Sequence, residues 1–131
     1  MPEDRKYVVE NVTRGLTLAT RVAVAGTSAA RRRGLLGVSD FDAESGLWIA
    51  PCEAVHTFGM KVPLDTVFLD AQFQVRKLAS HLKPWRISLC LSARSVLELR
   101  AGTIARTGTR PGDRLVFRRV QTAEEESPGS R

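Results

Sequence analysis

The stretch Thr66-Val67-Phe68-Leu69-Asp70-Ala71-Gln72-Phe73-Gln74-Val75-Arg76 decides the fold class. Residues 66–69 are apolar on both faces, without apolar–polar alternation, the pattern of a strand placed centrally in a sheet. Phe73-Gln74-Val75-Arg76 alternates cleanly, which predicts a half-exposed strand. The link Asp70-Ala71-Gln72 is short enough for a hairpin, although it lacks the expected glycine.

Upstream, Gly46-Leu47-Trp48-Ile49 reads as a short apolar strand stopped by Pro51 and preceded by a polar loop over 39–45. Tyr7 to Val12 reads as a strand, Thr13-Arg14-Gly15 as a turn, and Leu16 to Val24 as a second strand of period two. Together they predict a hairpin. Thr27 or Ser28 is placed to cap a short helix through Ala29–Arg33, which Gly34 would end. Downstream, His81 to Arg86 contains Pro84 and reads as a loop or strand edge. Ile87, Leu89 and Leu91 alternate with Ser88, Cys90 and Ser92, as in an amphipathic strand. Val96 to Leu99 reads as strand, Ala101 to Gly108 as either loop or short helical turn, Arg110-Pro111-Gly112-Asp113 as a turn, and Leu115-Val116-Phe117 as a last strand. The expectation is a mainly β (α+β) protein: a compact rolled or barrel-like antiparallel sheet with one or two short helices.

The chain has 131 residues, 43% of them hydrophobic, enough for one core. Residues 1–120 are expected to form a single compact domain and 121–131 a disordered acidic tail. The net charge is +6, and the tail holds three acids and one base, so residues 1–120 carry +8. Such a surface attracts anions. Sixteen of the bases are Arg, mostly scattered, which favours a compositional origin over a dedicated nucleic-acid surface. No apolar run approaches the ~18 residues of a membrane span. The charged start Met1–Lys6 has no apolar stretch behind it and does not read as a secretory signal. The expected setting is therefore cytoplasmic, with Cys52 and Cys90 as reduced thiols.

Chemistry-bearing residues are densest between Cys52 and Asp65, which include Glu53, His56 and Lys61. The run His56-Thr57-Phe58-Gly59-Met60-Lys61-Val62-Pro63-Leu64-Asp65-Thr66-Val67-Phe68-Leu69-Asp70 resembles the central signature of domain-of-unknown-function family 192, also called uncharacterised protein family 0127. That pattern is an aromatic residue or His, Met-Lys, Pro-Leu-Asp, an apolar strand and an acidic turn. Arg33-Gly34-Leu35-Leu36, Gly46-Leu47-Trp48-Ile49, Ser95 to Gly102 and Gly112-Asp113 resemble its other elements in order. Leu36 replaces the family's common Met, and Val62 stands where many members carry Asn. The resemblance spans about residues 7–118 and implies a compact, mostly β domain, but no reaction.

The leading reading is a binding module that holds a small polar or anionic ligand at a rim of His56, Met60, Lys61, Asp65 and Glu98. A hydrolase-type enzyme is the alternative, with His56 as base and Asp65 or Glu98 orienting it. A nucleic-acid or anionic-surface binder acting through the Arg excess is the third. Trp85, between Lys83-Pro84 and Arg86, is a stacking platform for a sugar or base, or a cover for one end of the core. Metal binding needs three or more ligands, and no pair among His56, Asp65, His81 and Glu98 has zinc-ligand spacing. No metal site is expected, and the sequence names neither a cofactor nor a catalytic residue.

Overall fold

In a computed structural model, which describes residues 5–25, 42–57 and 60–120, the run Leu64–Leu69 is a strand buried along its whole length. It is β5 of nine strands among the described residues. The others are β1 (Lys6–Asn11), β2 (Leu16–Ala25), β3 (Ser45–Ile49), β4 (Ala54–His56), β6 (Val75–Leu82), β7 (Ile87–Leu89), β8 (Ser95–Arg100) and β9 (Leu115–Arg119). One short helix, α1 (Thr103–Thr107), lies between β8 and β9. Seven strands make a sheet in the order β6-β5-β8-β3-β2-β1-β9, curled into a half-barrel, and β4 and β7 pair separately. The protein is mainly β, as its pattern predicts.

β5 is buried on both sides because successive side chains enter different cores. Val67 and Leu69 join the main core with Leu18, Val22, Leu97 and Leu99. Phe68 faces the other way and meets Val55, Ala93 and Val96 beneath the small sheet. The β1–β2 hairpin forms as expected, turning at Gly15 with φ +69°.

Four features depart from the sequence reading or decide between its alternatives. β3 runs parallel to β2, from Arg21 opposite Ser45 to Ala25 opposite Ile49, so the sheet is not wholly antiparallel. A parallel pair needs a crossover connection; it runs through residues 26–41, which lie outside the described residues with the helix expected over Ala29–Arg33. The tail 121–131 also lies outside them. Second, β6 starts at Val75, not Phe73, and extends to Leu82. Asp70 does the work of the missing turn glycine: its carboxylate accepts the Gln72 and Gln74 amides at 2.9 and 3.0 Å. Phe73 takes the left-handed conformation instead (φ 61°), and its ring lies 5.3 Å from Phe117 and 5.8 Å from Trp48. Third, residues 101–108 resolve as a helical turn opened by Gly102 (φ 103°) and closed by Gly108 (φ 66°). Fourth, β7 is amphipathic in the unexpected sense: Ser88 is buried while Ile87 and Leu89 are exposed.

β3 approaches β8 closely at Gly46. A Cβ there would stand 3.0 Å from the Glu98 carbonyl oxygen and 3.0 Å from Leu99 Cδ2. That contact holds together the two strands bearing Trp48 and Glu98.

Candidate functional site

β5 and β8 run antiparallel with Asp65 opposite Leu99 and Thr66 opposite Glu98. Neighbouring positions alternate in direction, so Asp65 and Glu98 project from opposite faces of the sheet. The two carboxylates do not converge.

Asp65 is fully buried and bound to the backbone on all sides. Its Oδ2 accepts the amides of Gly102 at 3.1 Å and Ile104 at 2.8 Å, and its Oδ1 accepts that of His81 at 2.8 Å. Gly102 has no side chain with which to cap α1, so Asp65 supplies the cap from a strand far away in sequence. The same carboxylate holds the irregular step of β6 at His81, where φ is 52°. Asp65 thus ties β5, β6 and α1 together. The imidazole near it is that of His81, with Nδ1 3.9 Å from Oδ1, and not that of His56.

Glu98 is in the opposite condition. It is 5% exposed, and its Oε1 has no hydrogen-bond partner among the described residues. Burial alone pushes its carboxyl up to about 7. Opposite it, Thr66 is fully buried, and its hydroxyl is also without a partner. Side chains in such a cross-strand pair stand about 5 Å apart at Cβ. A carboxyl pushed up to about 7 therefore faces an unsatisfied hydroxyl across the strand pair.

The remaining candidates lie elsewhere. β4 points Val55 inward and Ala54 and His56 outward, so His56 is an exposed residue of the small sheet. Met60 is buried at 5% exposure, and Lys61 is exposed. Thr57, beside His56, is the residue that organises this region. Its hydroxyl donates to the Lys83 carbonyl at 2.6 Å and accepts the Arg86 amide at 2.7 Å. Among the described residues no group of three His, Cys, Asp or Glu could hold a metal ion. Cys52 and Cys90 form no disulfide with each other.

A groove of about 350 Å³ opens on the face of the sheet opposite Glu98, lined by Trp48, Pro51, Phe73, Arg94 and Ser95 among others. Trp48 Nε1 and Ser95 Oγ are both buried without a hydrogen-bond partner among the described residues. Sequence reasoning missed this groove. It is assembled from the ends of β3 and β8 and the β5–β6 turn, and no local spacing links those positions.

The fold has close likenesses among solved structures. A Sinorhizobium meliloti 1021 protein called a "putative transcription regulator" superposes with a TM-score of 0.76 at 25% identity, covering 86% of this chain and 92% of its own. A protein of unknown function from Novosphingobium aromaticivorans DSM 12444 superposes with a TM-score of 0.73 at 25% identity, covering 86% of this chain and 83% of its own. Among curated proteins no relative matches. The DUF192 family model, described as "Uncharacterized ACR, COG1430", matches residues 9–117. That span takes in every strand from β2 to β8, half of β1 and most of β9, and the chain belongs to this family.

Proposed function

We propose that the protein is a binding module for a small polar ligand and that Glu98, with Thr66, is its chief polar contact. The observation that carries this reading is the lone buried carboxyl. Native proteins rarely leave such a group unsatisfied, and strongly shifted carboxyls concentrate at functional sites. A ligand amide, hydroxyl or ammonium placed between Glu98 Oε1 and Thr66 Oγ1 would satisfy both. The rim expected around His56, Met60, Lys61 and Asp65 contributes less: Asp65 is occupied as a structural acceptor, and His56 and Lys61 face solvent. The same facts weaken the hydrolase reading, because Asp65 is taken up by three backbone amides and His56 lies on the outer face of the small sheet.

The groove supports a second placement of the ligand, since Trp48 and Ser95 line it and each has a polar atom buried behind its wall without a partner. Pockets of this volume suit small ligands. Thermal unfolding against a panel of sugars, phosphorylated metabolites, nucleotides and amino compounds tests both placements. A ligand at ~100 times its dissociation constant adds about 2.7 kcal/mol of stability. The expected result is a shift that Glu98→Gln abolishes and Ser95→Ala preserves. The reverse pattern moves the site to the groove, and a shift unaffected by either variant overturns both placements.

A further inference from the structure

Four large apolar side chains are exposed on β7 and just beyond its ends. Trp85 is 65% exposed, Ile87 63%, Leu89 48% and Leu91 76%. Ile87 and Leu89 share the outer face of β7, and Trp85 and Leu91 stand two residues beyond either end. The register sets Ala54 beside Leu89 and His56 beside Ile87, both also exposed. A strand in a water-facing sheet ordinarily hides its apolar side; here Ser88 points inward instead.

This face is held rigidly. Trp85 adopts a left-handed conformation (φ 66°) that a bulky residue rarely takes. Its amide donates to the Thr57 carbonyl at 3.0 Å, and the Thr57 hydroxyl pins Lys83 and Arg86 on either side of it. The fold thus uses a buried threonine to hold a strained loop that presents an indole to solvent.

Cations prevail around it. Lys83 and Arg86 flank Trp85, and Lys77 donates to the Leu89 carbonyl at 2.8 Å, against one exposed acid, Glu53, whose carbonyl accepts the Cys90 amide. We propose that the Trp85–Ile87–Leu89–Leu91 face is a docking surface for an anionic lipid bilayer. The aliphatic side chains would enter the acyl boundary, Trp85 would sit at headgroup depth, and the flanking cations would meet the anionic headgroups. Nucleic acid fits this face less well. Bases stack on aromatic rings, and three of the four exposed side chains are aliphatic.

The test uses the full chain with vesicles of phosphatidylcholine alone and of phosphatidylcholine mixed with phosphatidylglycerol, read by co-sedimentation and tryptophan emission. The expected result is partition onto the anionic vesicles only, weakening with salt, with a blue shift that Trp85→Phe removes. Ile87→Ser with Leu91→Ser should lower partition at least tenfold at an unchanged melting temperature. Lys83→Glu should lower it about fivefold or more. Three outcomes overturn the proposal: no partition onto anionic vesicles at low salt, partition unchanged in the Ile87→Ser/Leu91→Ser variant, or a concentration-dependent dimer that buries Trp85 and excludes vesicles.

Discussion

Raising the pH from about 5 to about 8 ionises Glu98 inside the folded protein, and the chain loses stability as it does so. The carboxyl titrates at about 7 when folded, against an ordinary value of 4.5. Between those values the unfolded chain has released its proton while the folded chain still holds one, so stability falls as pH rises. Below the ordinary value both states are protonated and the penalty is absent; above the folded value it is complete. The gap corresponds to about 3 kcal/mol at neutral-to-alkaline pH. Glu98→Gln keeps the size and polarity of the side chain and removes the titration. Urea unfolding of both proteins across this range isolates the term, because other titrating groups cancel in the difference. The variant should gain on the native chain from slightly acidic pH upward, reaching about 3 kcal/mol near pH 8, or roughly 10 °C in melting temperature. Parallel stability curves would show that Glu98 is paired or hydrated in solution, and would remove the observation on which the binding-module reading rests.

Three further outcomes follow from the geometry. Asp65→Ala leaves the amides of His81, Gly102 and Ile104 without their acceptor and should cost about 3 kcal/mol or more in urea unfolding; a loss below about 1 kcal/mol would show that water replaces the cap. Gly46→Ala drives a Cβ against the Glu98 carbonyl and Leu99 and should destabilise by about 1–3 kcal/mol; a neutral or stabilising result would mean that β3 and β8 separate freely. Burial pushes the Asp113 carboxyl up, but bonds from Arg14, Asn11 and the Arg110 amide outweigh it and hold it below its ordinary value. The stability it contributes is present above the ordinary carboxylate range and is lost as pH falls through the lowered value. Arg14→Ala should therefore start acid unfolding at higher pH, and superimposable acid limbs would count against this pairing.

Much of the architecture is legible in local pattern. The unbroken apolar run at 67–69, the period-two segment at 16–24 and the turn at Arg110–Asp113 each report their own burial or bend, because strand periodicity and turn chemistry act over a few residues. Where local signals misled, a side chain had bonded to the backbone of a turn or loop. The Asp70 carboxylate satisfies the turn amides and lets Phe73 take a glycine-like conformation, and the Thr57 hydroxyl holds the Lys83–Arg86 loop and hence turns β7 over. The candidate site was the least legible part. Asp65 and Glu98 are both carboxylates in apolar strands, and nothing in either neighbourhood distinguishes them.

The sequence by itself therefore determined the mainly β class and most of the strands, since these depend on side-chain period and backbone preference. Only the tertiary structure decided what each acid does. The β5–β8 register places Thr66 against Glu98 and Asp65 against Leu99. One carboxylate thereby meets three backbone amides and caps α1, while the other keeps its Oε1 unpaired opposite an unpaired hydroxyl. A shift of one residue would exchange their faces, and register is set by pairing between distant strands rather than by the residues on either side.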